Sequence, residues 1–173
     1  MGPTAKLLKS ALALLCLLGL TACAHYRLGT DSEPKFAKLY LAPVASDVLL
    51  PQAQAIVTTQ LREAFLKDGR VSLVTSADEA DAVLTITLGS YQREVTVSRA
   101  DDTGLARRFD VTLHAKATLL DTRTKQNLFA NRPLQATRGV FTDSGQLQSE
   151  YQALPLLAET LAGNVVHAVL DTW

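Results

Sequence analysis

The residue with the most chemistry written around it is Cys23. Leu20, Thr21 and Ala22 precede it, one aliphatic residue and two small ones. That order looks like a bacterial lipobox: small residues let an extended chain enter a peptidase cleft, and the cut falls on the amino side of the cysteine. The thiol first receives a thioether-linked diacylglycerol, and the amine freed by cleavage takes a third acyl chain. Each buried methylene contributes about 0.8 kcal/mol, so two or three chains hold a protein firmly on a membrane. Upstream, Lys6 and Lys9 form a positive n-region and Ala11 to Leu20 a ten-residue apolar h-region. A spanning helix needs about 20 apolar residues, so this stretch fits a secretory signal instead. Residues 1–22 are expected to be a cleaved lipoprotein signal peptide. Ala24 stands where an Asp would favour inner-membrane retention. The expected location is therefore the outer membrane, lipid-anchored, on the periplasmic side.

Other reactive side chains are sparse. Cys16 leaves with the leader and Cys23 is lipidated, which leaves the mature chain without a free thiol, a disulfide or a Cys-based metal site. His25, His114 and His167 are far apart, and no His-Glu-x-x-His pattern is present. Asp78, Glu79 and Asp81 cluster, as do Asp101 and Asp102. Paired carboxylates can serve hydrolysis or Ca²⁺, but both clusters read better as solvated turns. No nucleophile has an adjacent base, no phosphate loop or dinucleotide fingerprint occurs, and no cofactor or enzyme activity is expected.

The charges say more. The chain has 173 residues, 17 basic against 17 acidic, 47 % apolar and 20 % charged. That is the composition of a folded domain with no basic excess for nucleic acid. The balance is uneven along the chain. Tyr91 to Val140 holds nine basic and five acidic residues, while Phe141 to Trp173 holds four acids and no Lys or Arg. Arginine forks bind phosphate bidentately. A hairpin tip with Arg99, Arg107 and Arg108, supported by Arg93 and Lys116, can thus meet an anionic ligand. The same residues also fit a solvated sheet edge whose charges discourage aggregation, and composition alone favours that reading.

The elements that must position these residues follow from periodicity. Ala24 to Lys38 is polar and reads as a tether. Leu39 to Val44 is a strand closed by Pro43. From Pro51, apolar residues at steps of three and four predict a helix that Gly69 ends. Val71 to Val74 is a short strand. Leu84, Ile86 and Leu88 alternate, and the apolar parity then changes to Tyr91, Val95 and Val97 across Gly89-Ser90, which predicts a bulge there. Asp101 to Gly104 is a turn. Phe109 to Leu119 is the clearest period-two run, with one dry and one wet face. Another strand runs from Asn127 to about Thr137, with Pro133 marking an edge or a bend. Gly139 to Gln146 reads as a loop. The last helix is expected to become regular at Pro155. The order β-α-β-β-β-β-α predicts an α/β two-layer sandwich, with a four- to five-stranded mixed sheet and two helices on one face. The expected divisions are 1–22 signal peptide, 23–38 lipidated tether and 39–173 a single domain.

In this order and spacing the chain resembles the lipopolysaccharide-assembly lipoprotein family, LptE. Cys23-Ala24-His25-Tyr26-Arg27-Leu28-Gly29 is similar to the family's Cys-Gly-Tyr-x-Leu-Arg-Gly opening, and Leu39 to Val44 and Ala80-Asp81-Ala82-Val83-Leu84 follow its strand entries. Ala24 replaces the usual Gly, and the Arg-Leu order at 27–28 is reversed. The resemblance implies a non-enzymatic plug and assembly aid inside the outer-membrane β-barrel LptD that binds lipopolysaccharide on its way to the outer leaflet. Charge counting, not a family motif, selects Arg99, Arg107, Arg108, Arg93 and Lys116 for that contact. A competing reading is a periplasm-facing lipoprotein that activates a peptidoglycan synthase or supports secretion. It needs a long reach, and the roughly 15 residues before the first strand span about 50 Å at most.

Overall fold

Alternation dominates the middle of the chain, and the sheet is built from it. The computed structural model describes residues 34–50, 52–98, 106–141 and 146–171. The strands are β1 (Lys38–Leu41), β2 (Ala45–Ser46), β3 (Ser72–Val74), β4 (Ala82–Ser98), β5 (Ala106–Asp121) and β6 (Asn127–Phe141). The helices are α1 (Ala53–Asp68) and α2 (Gln146–Leu170). The expected first strand, Leu39 to Val44, ends at Leu41, before Pro43, which has no N–H to give a neighbour, and Ala45–Ser46 forms a short strand of its own. Counting the short β2 and β3, the mixed sheet has six strands in the order β3-β1-β4-β5-β6, with β2 against β4. β1 is parallel to β3 and β4, and β4, β5 and β6 form an antiparallel meander.

One sheet face is dry. Leu84, Ile86 and Leu88 of β4 pair with Leu119, Ala117 and Ala115 of β5, and all are buried. Val57, Leu61 and Phe65 of α1 and Leu157, Leu161, Val165 and Val169 of α2 belong to the same core. The domain is thus a two-layer sandwich with both helices on one face. By length and composition the Ser149–Leu170 part of α2 suffices to cross a membrane, but 61 % of its apolar window is buried here, which makes it a core helix.

The bulge falls where the parity changes. Leu88 pairs with Ala115 but Tyr91 with Leu113, so Gly89-Ser90 inserts one extra residue. That insertion keeps Tyr91, Arg93 and Val95 on the helix side of the sheet. Gly69 closes α1 at φ 75°, and its N–H donates to the Phe65 carbonyl.

Two boundaries differ from expectation. β6 continues through Gly139 to Phe141, paired with Asp110 and Arg108. α2 begins at Gln146, nine residues before Pro155. Pro155 faces solvent, where water can bond the Tyr151 carbonyl that it deprives of a donor, while Ala153 and Leu154 bury beside it.

Candidate functional site

The sheet face opposite the helices is polar, because every second residue of β5 points there, and among the described residues no element covers it. Arg108, Asp110, Thr112, His114 and Lys116 line its centre, beside Glu94 and Gln92 of β4 and Phe141, Gly139, Thr137 and Gln135 of β6. The Arg108 guanidinium lies over Gly139, where a Cβ would come within 2.7 Å of Nη2. It also packs 5.5 Å from the centroid of the Phe141 ring. A side chain there would have to displace the flat guanidinium, the flexible end of Arg108, from the space it fills. Arg108 Nη2 stands 3.7 Å from Asp110 Oδ1, an ion pair without a hydrogen bond. Arg108 Nε, Asp110 Oδ1 and His114 Nε2 are shielded from solvent and have no hydrogen-bond partner. Each such group costs about 1–3 kcal/mol. Thr112 and Thr137 bond each other across the strands at 2.9 Å.

On the helix side, Arg93 extends from β4 under the amino-terminal turns of α2. Its Nε and Nη2 donate to Glu150 Oε2 at 3.0 and 2.9 Å, and the Tyr91 hydroxyl reaches the same oxygen at 3.3 Å. Burial, then the Glu150 charge, push the Tyr91 phenol up to about 12. This cluster pins the start of α2 to the upper part of β4. Leu49, Leu50, Tyr151 and Leu154 wall a cavity of about 180 Å³ beside it.

At the opposite end of the domain, Arg70 joins the carboxy-terminal ends of both helices. Its Nε and Nη2 grip Asp68 at 2.8 and 2.9 Å, and its Nη1 holds Asp171 at 2.6 Å. His167 Nδ1 also contacts Asp171. Hydrogen bonding to Arg70 holds the Asp68 carboxyl below its ordinary range. Burial disfavours the Asp171 charge, but the hydrogen bonds and charges of Arg70 and His167 outweigh it and hold that carboxyl low as well. Asp81 has a structural task that its turn-like setting hid: its Oδ2 accepts the backbone N–H groups of Ala37 and Lys38 at 3.0 and 2.8 Å. Phe36 is buried beside them.

The three described candidates for lipopolysaccharide contact, Arg93, Arg108 and Lys116, do not converge. Arg108 and Lys116 share the open face but lie eight positions apart on one strand, roughly 26 Å. Arg93 is on the other face, committed to Glu150. Arg132 is likewise on the helix side, donating to the Ala168 carbonyl. The basic surplus of the central strands is thus divided between two faces. Cys23, Arg99 and the 101–104 turn lie outside the described residues. Arg107 falls within β5, but its side chain lies outside them. Sequence reasoning missed Glu150, Phe141 and Gly139, which hold Arg93 and Arg108 in place. Only the parity of β5 hinted at the Arg108–Asp110 pair. Among the described residues no group of three His, Cys, Asp or Glu side chains is placed to hold a metal.

A sequence model described as LptE, lipopolysaccharide-assembly, matches residues 36–169. No curated protein sequence matches. Solved structures share the fold. The uncharacterized lipoprotein B of Nitrosomonas europaea is 18 % identical with a TM-score of 0.53, over 84 % of this chain and 88 % of that one. A protein from Xanthomonas campestris is 13 % identical with a TM-score of 0.61, over 82 % and 88 %. A hypothetical protein from Chlamydia trachomatis is 13 % identical with a TM-score of 0.54, over 77 % and 95 %.

Proposed function

The chain belongs to the LptE lipopolysaccharide-assembly family, and on that premise we propose that it plugs and helps assemble a β-barrel lipopolysaccharide translocon, LptD, and binds lipopolysaccharide during insertion into the outer leaflet. The observation that carries this reading is the family match, which runs through both helices and all three long strands. Cys23 anchors the protein to the outer membrane by its acyl chains, with the domain on the periplasmic side. A plug needs a dry interior and wet outer surfaces. The helix-side core and the polar open face, where Arg108 Nε, Asp110 Oδ1 and His114 Nε2 lack hydrogen-bond partners, suit contact with polar partner groups.

Affinity purification from detergent-solubilised outer membrane is expected to recover a large β-barrel protein. Recovering none, with normal surface lipopolysaccharide after depletion of the lipoprotein, refutes the reading. For the glycolipid itself, Arg99, Arg107 and Arg108 changed together to Glu are expected to weaken capture of purified lipopolysaccharide while the fold survives. Lys116→Glu tests the far end of the same face. Arg93 is left unchanged, since its loss would disturb Glu150 whatever it binds. Unchanged capture by both variants places the contact elsewhere.

A further inference from the structure

Among the described residues the upper edge of β4 is unpaired, and we propose that it accepts an extended strand from the barrel partner, with an apolar side chain of that strand seated in the cavity beside Tyr91. This rests on the barrel reading above and adds to it a mode and a place of contact.

Register fixes which backbone groups are available. The Gln135 carbonyl of β6 accepts from Asn164 of α2, so Gln135 points away from β5. Its neighbours Leu134 and Ala136 therefore bond inward, to Ala115 and Leu113 of β5. Ala115 and Leu113 then turn toward β6, and their partners on β4, Leu88 and Tyr91, turn away from β5. The Leu88 carbonyl confirms the direction by accepting the Asp47 N–H on the β2 side. Beyond the bulge, Tyr91, Arg93 and Val95 continue this outward series. β2 ends at Ser46, opposite Leu88, so among the described residues no strand pairs with β4 on that side above the bulge.

Natural sheets guard such edges, and the opposite edge of this sheet is guarded. Pro133 shares the outward parity of Gln135 and presents no N–H. Asn164 occupies the Gln135 carbonyl, and Arg132 reaches across to α2. β4 has no proline, and among the described residues no strand covers this edge. Beside it instead is the cavity of about 180 Å³ walled by Leu49, Leu50, Tyr151 and Leu154. Leu49 is fully exposed, and Val95 and Tyr151 are 59 % and 60 % exposed. An unpaired ladder with an apolar pocket on one side is what strand addition uses: backbone bonds give affinity and the pocket gives side-chain selectivity. The wall strands of a closed barrel are already paired on both edges, so the occupant is an extended segment of one of the barrel's loops.

The test is amide hydrogen exchange on the full lipoprotein, alone and in the detergent-purified barrel complex. Free, the N–H groups of Tyr91, Arg93 and Val95 exchange fast, while Gln92 and Glu94, bonded to β5, exchange slowly. In the complex the three outward amides are expected to slow at least ten-fold, while Thr137 on the opposite edge is unchanged. Val95→Pro removes an outward donor without breaking a bond to β5. It is expected to lower barrel recovery by about ten-fold, the loss of one or two net hydrogen bonds, whereas Thr137→Pro lowers it little. A complex that forms with Tyr91, Arg93 and Val95 still fast, or a Val95→Pro protein that folds and recovers the barrel fully, overturns this inference alone. Failure of wild type to recover any barrel overturns the preceding reading and this one together.

Discussion

Replacing Arg70 by Met is expected to destabilise the domain by an amount that depends on pH in a defined direction. The guanidinium makes three charge-assisted hydrogen bonds, two to Asp68 and one to Asp171. Methionine keeps most of the apolar stem and removes the charge. Bonds of this kind contribute about 1.5 kcal/mol or more each. The side chains of Arg70, Asp68 and Asp171 remain 27 %, 20 % and 12 % exposed, so solvent screens part of that. A net loss of about 2 kcal/mol at pH 7 follows, roughly 6 °C in melting temperature for a domain of this size. Both carboxyls have folded-state values below their ordinary ones. Their contribution is therefore present above the unfolded carboxylate value and lost as pH falls through the folded values. A protonated pair no longer needs the arginine. The wild-type–variant difference should accordingly be largest near neutral pH and shrink below about pH 4. Urea titrations at several pH values measure it, made in a His167→Gln background so that the imidazole does not enter. Glu63, Lys67 and Glu159 line the same groove and are common to both proteins. A pH-independent difference, or one that grows in acid, would refute the assignment of this stability to the carboxylates.

Two further substitutions test the core helix. Leu161→Ala deletes a fully buried side chain of α2 and is expected to cost about 3 kcal/mol in denaturant unfolding; a cost below about 1 kcal/mol would mean that α2 is not seated on the sheet as described. Pro155→Ala restores an N–H to the Tyr151 carbonyl at an exposed helix position and is expected to stabilise the protein by about 1 kcal/mol or more. A neutral or destabilising result would show that the proline ring makes a contact of its own.

How far the sequence carried the structure depended on the range of the interaction. The bulge at Gly89-Ser90 was legible because a two-residue period cannot change parity without inserting a residue, and the insertion appears in the register. The two-layer fold was legible for a similar reason: two apolar helical stripes need one dry sheet face. The starts and ends of elements were harder. Pro155 is a strong local signal, but burial of Ala153 and Leu154 overrides it. Gly139 looked like loop chemistry, whereas it makes room for a guanidinium within a strand. The site residues were least legible. Arg93 and Glu150 are 57 positions apart, and no spacing rule connects them. Counting charges correctly found a basic stretch, but strand alternation then sent its members to opposite faces.

The placement of β1 has a mechanical consequence. It lies between two parallel neighbours, β3 and β4, and Asp81 clamps its entry through the Ala37 and Lys38 amides. A pull on the amino-terminal side along the strand axis loads both ladders and the clamp together, in shear, instead of opening them one bond at a time. A protein towed by an amino-terminal anchor while its far end is held by a partner would take the load in shear, across three register pairs to each neighbour of β1 and the two amide bonds to Asp81.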